Sequence, residues 1–448
     1  MERYESYKDS GVAWIGQVPS HWIHSRIKFC LSRSVAGIWG DDEKGNKDDI
    51  VCFRVADFDY SKGCLTFDKL TIRNVSAAQL QNRLLHDEDL LIEKSGGGDA
   101  TPVGRVVRFN YNDKAICSNF IHSISVKEGY SSNYLYYYFY GMYANKVNLL
   151  YFNQTTGIQN LKVGEYLSQT IYLPTLVEQQ AIAAYLDKRC CEIDKAIATQ
   201  QKRIALLQEL KQSIITHAVT RGIHPDVPLK ESGVEWIGKV PKHWEVRRMK
   251  FLTREYKAGP FGSALITSKL SDNGSVLVYT PEHIANQSTQ LVNNLYLPET
   301  RVKEMSQFFV KVNDVIFSIV GTLGRAMLIT EDMPKGIINQ RLAKFSVNEK
   351  DILIEYLLWL FAHSIFYEHY MQLYQRGSVI VNLTKEIIGN MPVPLPPINE
   401  QYQIVAYLKE CTIKLDTYIA HAEQRIALLQ ELKQSIITEA ITGKIKVC

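Results

Sequence analysis

Two long stretches of the chain carry apolar residues at helical spacing and contain neither proline nor glycine. The first follows Pro174 and places Ile182, Leu186, Ile193, Ile197, Ile204, Leu207, Ile214 and Ala218 at intervals of three, four or seven. The second follows Pro396 and repeats the stripe with Ile404, Leu408, Leu415, Ile419, Ile426, Leu429 and Ile436. These periods predict one-sided helices of roughly 40 residues, about 60 Å long at 1.5 Å per residue. A helix draws most of its stability from packing of its apolar face, so the two stripes are expected to pair as an antiparallel coil. Upstream of each stripe the pattern changes to short apolar runs bounded by turns. Residues 89–92, 106–109, 121–126 and 314–317 read as strands. Residues 134–143 are a dense aromatic run, and residues 356–361 keep the apolar character with Leu and Trp. A packed core helix is the better reading of that run than a base-stacking platform.

The similarity of the two stripes is part of a duplication. The segment RIALLQELKQSIIT occupies residues 203–216 and again 425–438, an offset of 425 − 203 = 222. SGVAWIGQVPSHW at 10–22 and SGVEWIGKVPKHW at 232–244 share that offset. So do Asn160-Leu161 with Asn382-Leu383, Pro174 with Pro396, and Glu178-Gln179 with Glu400-Gln401. A unit of about 220 residues is present twice, far beyond a solenoid period. One polypeptide therefore imitates a symmetric pair, and antiparallel helices would restore the pseudo-twofold axis. The ends of the copies match, whereas residues 30–130 and 252–352 have diverged. Matching ends point to one shared framework, divergent middles to two different jobs. The expected organisation is a first α/β (α+β) domain at 1–175, a helix at 176–223, a second such domain at 224–396 and a helix at 397–448.

Composition adds exclusions. With 46% hydrophobic and 22% charged residues the chain is an ordinary folded protein, and its charge of 51 − 47 = +4 permits a nucleic-acid partner without demanding one. Eight cysteines form no C-x-x-C pair, the first residues lack the apolar core of a signal peptide, and no apolar run approaches a membrane span. Reduced thiols, a cytoplasmic location, no membrane and no metal site are expected. There is no G-x-x-x-x-G-K-[ST] loop, no G-x-G-x-x-G after a strand and no Asn/Asp-Pro-Pro-aromatic segment, so no catalytic constellation is predicted.

The W-I-G-x-V-P-x-H-W opening, the P-x-x-x-E-Q helix entry and the R-I-x-L-L-Q-E-x-K-Q-S-I-I-T helix, each present twice, resemble the DNA specificity subunit of Type I restriction–modification systems. The resemblance implies two target recognition domains in pseudo-twofold arrangement, joined by two long helices forming an antiparallel coiled coil. It implies that each domain reads one half of a split double-stranded DNA target. It also implies two modification (methyltransferase) subunits using S-adenosylmethionine, and restriction subunits using ATP and Mg. This chain would bind none of these cofactors and catalyse nothing itself. The alternative, from the duplication alone, is a pseudo-symmetric scaffold bridging two identical partners without reading DNA. A stand-alone methyltransferase is disfavoured by the missing cofactor motifs.

DNA readers should be polar or basic loop residues within the divergent parts. In the first domain the candidates are Lys94, Ser95, Gly97, Arg105, Thr155, Thr156, Gln159 and Lys162. In the second they are Ser318, Thr322, Arg325, Asn339, Gln340, Arg341, Arg376, Ser378 and Lys385. Asn160 and Asn382 occur in both copies and so read better as structural, as do Trp14, Trp22, Trp236 and Trp244, which should anchor the amino-terminal segment of each copy. Repeated polar helix residues are candidates for two identical partners: Gln208, Glu209, Lys211 and Gln212, with Gln430, Glu431, Lys433 and Gln434.

Overall fold

The computed structural model describes residues 2–98, 100–155, 157–260, 265, 270–320, 325–362, 370 and 384–447. Four helices organise the chain: α1 (Ser132–Ala144), α2 (Leu176–Arg221), α3 (Ile354–Ala362) and α4 (Ile398–Ile441). It divides into two compact units, Met1–Gln201 with Glu423–Cys448, and Lys202–Ala422. The division falls inside both long helices rather than at their starts. Unit 1 therefore contains the carboxyl-terminal part of α4, and unit 2 that of α2.

Each unit repeats one sheet topology. In unit 1 four antiparallel strands run in the order Val106–Arg108, Leu90–Glu93, Ile121–Val126, Leu31–Ala36, while Ala115–Cys117 pairs in parallel with Asp49–Phe53 in a second sheet. Unit 2 has the order Ala326–Leu328, Val315–Ser318, Leu342–Val347, Thr253–Ala258, with Gly336–Ile338 parallel to Leu277–Tyr279. Leu90, Leu91 and Ile92 are all fully buried, as expected of an unbroken apolar run covered on both faces. Both central strands are preceded by a buried aspartate, and the two are neutralised differently. Arg33 and Ser125 hold Asp89. Lys344 lies 3.2 Å from Asp314 and donates to the Phe309 carbonyl at 2.7 Å. The cation for the same buried charge thus comes from a different strand in each unit, Leu31–Ala36 in one and Leu342–Val347 in the other, so side chains diverge while the topology persists.

The long helices pair antiparallel in both units. Lys433 meets Asp194 at 2.7 Å in unit 1, and Lys211 meets Asp416 at 2.7 Å in unit 2. The sums 194 + 433 and 211 + 416 both equal 627, the constant register of an antiparallel pair. Beneath these pairs Ile182, Leu186 and Ile193 share a core with Ile436, Ile437 and Ile441, and Ile215 and Val219 share one with Ile404 and Leu408.

The repeated motifs explain how the helices are fixed to the sheets. The buried Gln179 side chain donates to the Pro174 carbonyl at 2.9 Å and accepts from the Ser131 amide at 3.0 Å. Gln401 does the same with Pro396 and Leu353, at 2.9 and 2.8 Å. Glu178 and Glu400 reach His21 and His243 at 3.0 and 2.8 Å. The fully buried Tyr134 hydroxyl on α1 lies 3.3 Å from the carbonyls of Tyr172 and Ile441. Tyr356 on α3 lies 3.0 Å from that of Pro394 and 3.1 Å from that of Val219. Trp22 and Trp244 are wholly buried, and Trp14 packs edge-on against Tyr138 at 5.5 Å. The aromatic run is core, with Tyr134, Tyr136, Tyr137, Tyr138 and Phe139 all buried.

Replacing Gln179 by Ala strands the half-buried Ser131 amide and the buried Pro174 carbonyl, so Gln179→Ala is expected to cost roughly 2–4 kcal/mol. The exposed neighbour Gln180 serves as control, its Ala variant staying within about 0.5 kcal/mol of wild type. Urea unfolding midpoints of the two variants make the comparison.

Candidate nucleic-acid interface

In unit 1 the candidates gather at the end of the central strand. Ser95–Gly96 pairs antiparallel with Ile158–Leu161, which sets Ser95 opposite Asn160 and Gly96 opposite Gln159. The Leu161 amide donates to the Lys94 carbonyl at 2.8 Å. Gly97 turns the chain at φ +63°, a conformation that favours glycine. Several of these side chains serve the loop itself. Ser95 Oγ donates to Asn160 Oδ1 at 2.7 Å, and the buried Gln159 Oε1 accepts from the Val103 amide at 3.1 Å. Ser95 and Gln159, 8% and 2% exposed, therefore shape the tip rather than present an edge to a duplex. Asn160 is structural, as its repetition implied. Lys162 is exposed, Thr155 lies on the strand Phe152–Thr155, and Thr156 lies outside the described residues.

Arg105 is committed elsewhere. Its Nε and Nη2 donate to the buried Glu93 carboxylate at 2.9 and 3.3 Å, and its guanidinium stacks on Tyr60 with 3.5 Å to the ring centre. Its Nε–Nη2 edge is thus held by Glu93, so Arg105 has a structural role in unit 1 whatever its Nη1 reaches. In unit 2 the equivalent position is held by Arg325. The Glu93 amide donates to the Arg105 carbonyl at 2.8 Å, and the Ser318 amide donates to the Arg325 carbonyl at 3.2 Å. Ser318, only 1% exposed, stands where unit 1 has Glu93, so it supplies no carboxylate to Arg325. Arg325 is exposed, its Nη1 3.4 Å from the Ala285 carbonyl.

Also in unit 2, Asn339 Oδ1 accepts from the Arg341 amide at 3.0 Å, so Asn339 forms the turn that carries its neighbours. Gln340 and Arg341 are exposed, as is Lys385 at the start of the short helix Lys385–Asn390. Thr322, Arg376, Ser378 and Asn382 lie outside the described residues.

On the helices, Gln208, Glu209, Gln430 and Glu431 are exposed. Lys211 and Lys433 are spent on the interhelical ion pairs, Gln212 is half-buried, and Gln434 donates to the Ala144 carbonyl at 3.1 Å. Sequence reasoning missed the leucines beside them. Leu206 and Leu428 are 55% and 57% exposed, and Leu210 and Leu432 are 48% and 45% exposed. Phe29 and Phe251, also 222 apart, are 61% and 65% exposed. The available signal was apolar residues falling off the helical stripe at the same place in both copies.

His122, on the strand Ile121–Val126, is held by Ser34 at 2.8 Å. Burial, aided by the Lys94 charge, pushes its pKa down to about 4.

The class defined by this geometry is a duplicated recognition scaffold, one framework built twice with different polar tips. The chain matches the family described as the Type I restriction modification DNA specificity domain over residues 46–209 and 241–427, and it belongs to that family. It is 24% identical over 315 residues to the MjaVIII specificity subunit of Methanocaldococcus jannaschii, covering 69% of this chain and 70% of that protein. It is 22% identical over 369 residues to the EcoBI specificity subunit of Escherichia coli, covering 81% and 74% respectively. A chain from a solved type I system, described for its complex assembly and conformational transition, superposes with a TM-score of 0.72 at 16% identity, over 96% of this chain and 99% of that one. The HsdS subunit of Thermoanaerobacter tengcongensis gives 0.52 at 16% identity, over 96% and 98%. This chain is thus a DNA specificity subunit, the non-catalytic component of a restriction–modification complex. Among the described residues no helix is long and apolar enough to cross a membrane.

Removing Arg105 would leave the buried Glu93 carboxylate without its cation, so Arg105→Ala is expected to destabilise unit 1 by about 3 kcal/mol. Arg325→Ala should leave stability within about 0.5 kcal/mol, since its side chain is exposed. Thermal and urea unfolding of both variants tests this contrast. For His122 the folded pKa lies below the unfolded one, so the unfolded chain binds more protons between them. Its contribution is present in full above pH ~6.5 and is lost as pH falls towards about 4. A His122→Gln variant should show a shallower loss of stability across that window, measured by urea midpoints at stepped pH.

Proposed function

We propose that each unit reads one half of a split duplex target, and that the two long helices set the distance between the halves. The observation that carries this reading is the same sheet topology built twice from divergent side chains, with exposed polar tips at equivalent strand ends. A single contiguous site would have no use for two such frameworks in one chain. Two modification subunits dock on the repeated surfaces marked by Leu206, Leu210, Gln208 and Glu209 and their counterparts Leu428, Leu432, Gln430 and Glu431. Exposed leucines ringed by polar residues at two equivalent places suit two copies of one partner. Those subunits supply S-adenosylmethionine chemistry at adenine, restriction subunits supply ATP- and Mg-dependent action, and the assembly works in the cytoplasm. Lys94, Lys162, Arg325 and Lys385 are exposed or half-buried cations suited to phosphate or base contact.

The test is to lengthen one helix. Four helix-forming residues inserted between Thr199 and Gln200 add about 6 Å and slightly more than one turn, close to the rise of one or two base pairs. In a methylation assay over duplexes with fixed half-sites and stepped spacers, the optimum should grow by about one or two pairs. An unchanged optimum in a folded, active insertion variant would remove the helices as the ruler.

A further inference from the structure

We propose that Asn119 and Phe120 are specificity-determining residues of unit 1, occupying the position that Gln340 and Arg341 occupy in unit 2. This inference rests on the DNA-reading function above and names the side chains that would set base preference in each half-site.

Backbone bonding establishes the equivalence. The Ser118 amide donates to the Phe53 carbonyl at 2.9 Å, as the Asn339 amide donates to Tyr279 at 3.1 Å. The Ile121 amide closes the turn on Ser118 at 2.9 Å, as Leu342 closes on Asn339 at 3.1 Å. The Phe120 carbonyl accepts from the Lys94 amide at 2.8 Å, and the Arg341 carbonyl accepts from Ile319 at 2.9 Å. Gly37 donates to the Ile121 carbonyl and Gly259 to that of Leu342, both at 2.9 Å. A Cβ on Gly37 would collide with the Ser118 carbonyl oxygen, and one on Gly259 with that of Asn339. The two turns are therefore clamped by the same contacts on both sides. Their separation is 339 − 118 = 221, one less than the sequence offset, so reading the repeats in register pairs the wrong residues.

While the backbone is held, the side chains are uncommitted. Among the described residues the Asn119 and Gln340 amides and the Arg341 guanidinium have no side-chain hydrogen bond or ion pair, and all are exposed. Phe120 is 43% exposed, and with Trp39, Arg54, Val55 and Asn119 it lines a shallow recess of about 410 Å³. A rigid turn with unpaired, exposed and divergent side chains meets the requirements for reading bases. An Asn or Gln amide matches the N6 and N7 edge of adenine, an Arg fork matches O6 and N7 of guanine, and an aromatic ring contacts the thymine methyl.

The experiment selects duplexes from a randomised library with the full chain coexpressed with its modification subunit. It compares wild type, the single variant Asn119→Ala, and a graft carrying S118N, N119Q and F120R. The graft should change the preferred bases at neighbouring positions of one half-site and leave the other half-site untouched. Asn119→Ala should lower discrimination at one position by about tenfold or more. Because Asn119 is exposed, its truncation carries the test even if the graft folds poorly; matched melting curves establish folding. Wild-type duplexes recovered unchanged by folded variants overturn the proposal, as does a change in both half-sites. If wild type itself selects no sequence, the DNA-reading function fails and this inference with it.

Discussion

Each unit depends on a buried tyrosine hydroxyl that reaches the carboxyl-terminal end of a long helix. Tyr134 bonds to the carbonyl of Ile441, and Tyr356 to that of Val219. A helix end leaves its last carbonyls without partners inside the helix, and burying them requires a donor from outside. The tyrosines supply it from α1 and α3, next to fully buried tryptophans. The helix end that completes each unit comes from the other repeat: residues 423–448 close unit 1, and residues 202–221 belong to unit 2. Neither repeat, taken as a continuous stretch of sequence, contains all of one unit. Repetition of the packed and ion-paired positions within 203–216 and 425–438, such as Lys211 with Lys433 and Ile215 with Ile437, follows, because both answer the same set of contacts.

The framework also explains where divergence is tolerated. Asp89 and Asp314 occupy one place in the sheet, yet their cations arrive from different strands. Glu93 and Ser318 likewise share a place, and the change alters what the neighbouring arginine is free to do. Substitutions of this kind leave the ladder of backbone bonds intact and change only the side chains mounted on it.

Much of the fold was legible in the sequence. The stripe from Ile182 to Ala218 gave the length of α2, and the constant offset implied a pair of units and an antiparallel helix pair, which the ion pairs of Asp194 and Asp416 display. The site was less legible, for physical reasons. The pairing of Arg105 with Glu93 was not foreseen, because nothing in the local sequence announces that a strand-end glutamate will be 1% exposed. Gln159 and Ser318 resemble loop polars, but their bonds or burial depend on strands far away in sequence. Asn119 and Phe120 went unnoticed because loops of different length change the repeat offset from place to place within the middles. It is 318 − 93 = 225 at Glu93 and Ser318 but 339 − 118 = 221 at Ser118 and Asn339, so the equivalent turns emerge only from the backbone bonding. The exposed leucines at 206, 210, 428 and 432 sit in helices whose stripe drew attention to the opposite face.

The central claim is that one framework, built twice, reads two separate half-sites. Its most direct test is the methylation pattern of genomic DNA from cells expressing this chain with its modification subunit, read by single-molecule sequencing. The account predicts methylated adenines within one split motif, two short specified segments flanking an unspecified spacer of fixed length. A contiguous motif, or methylation without a motif, would contradict it.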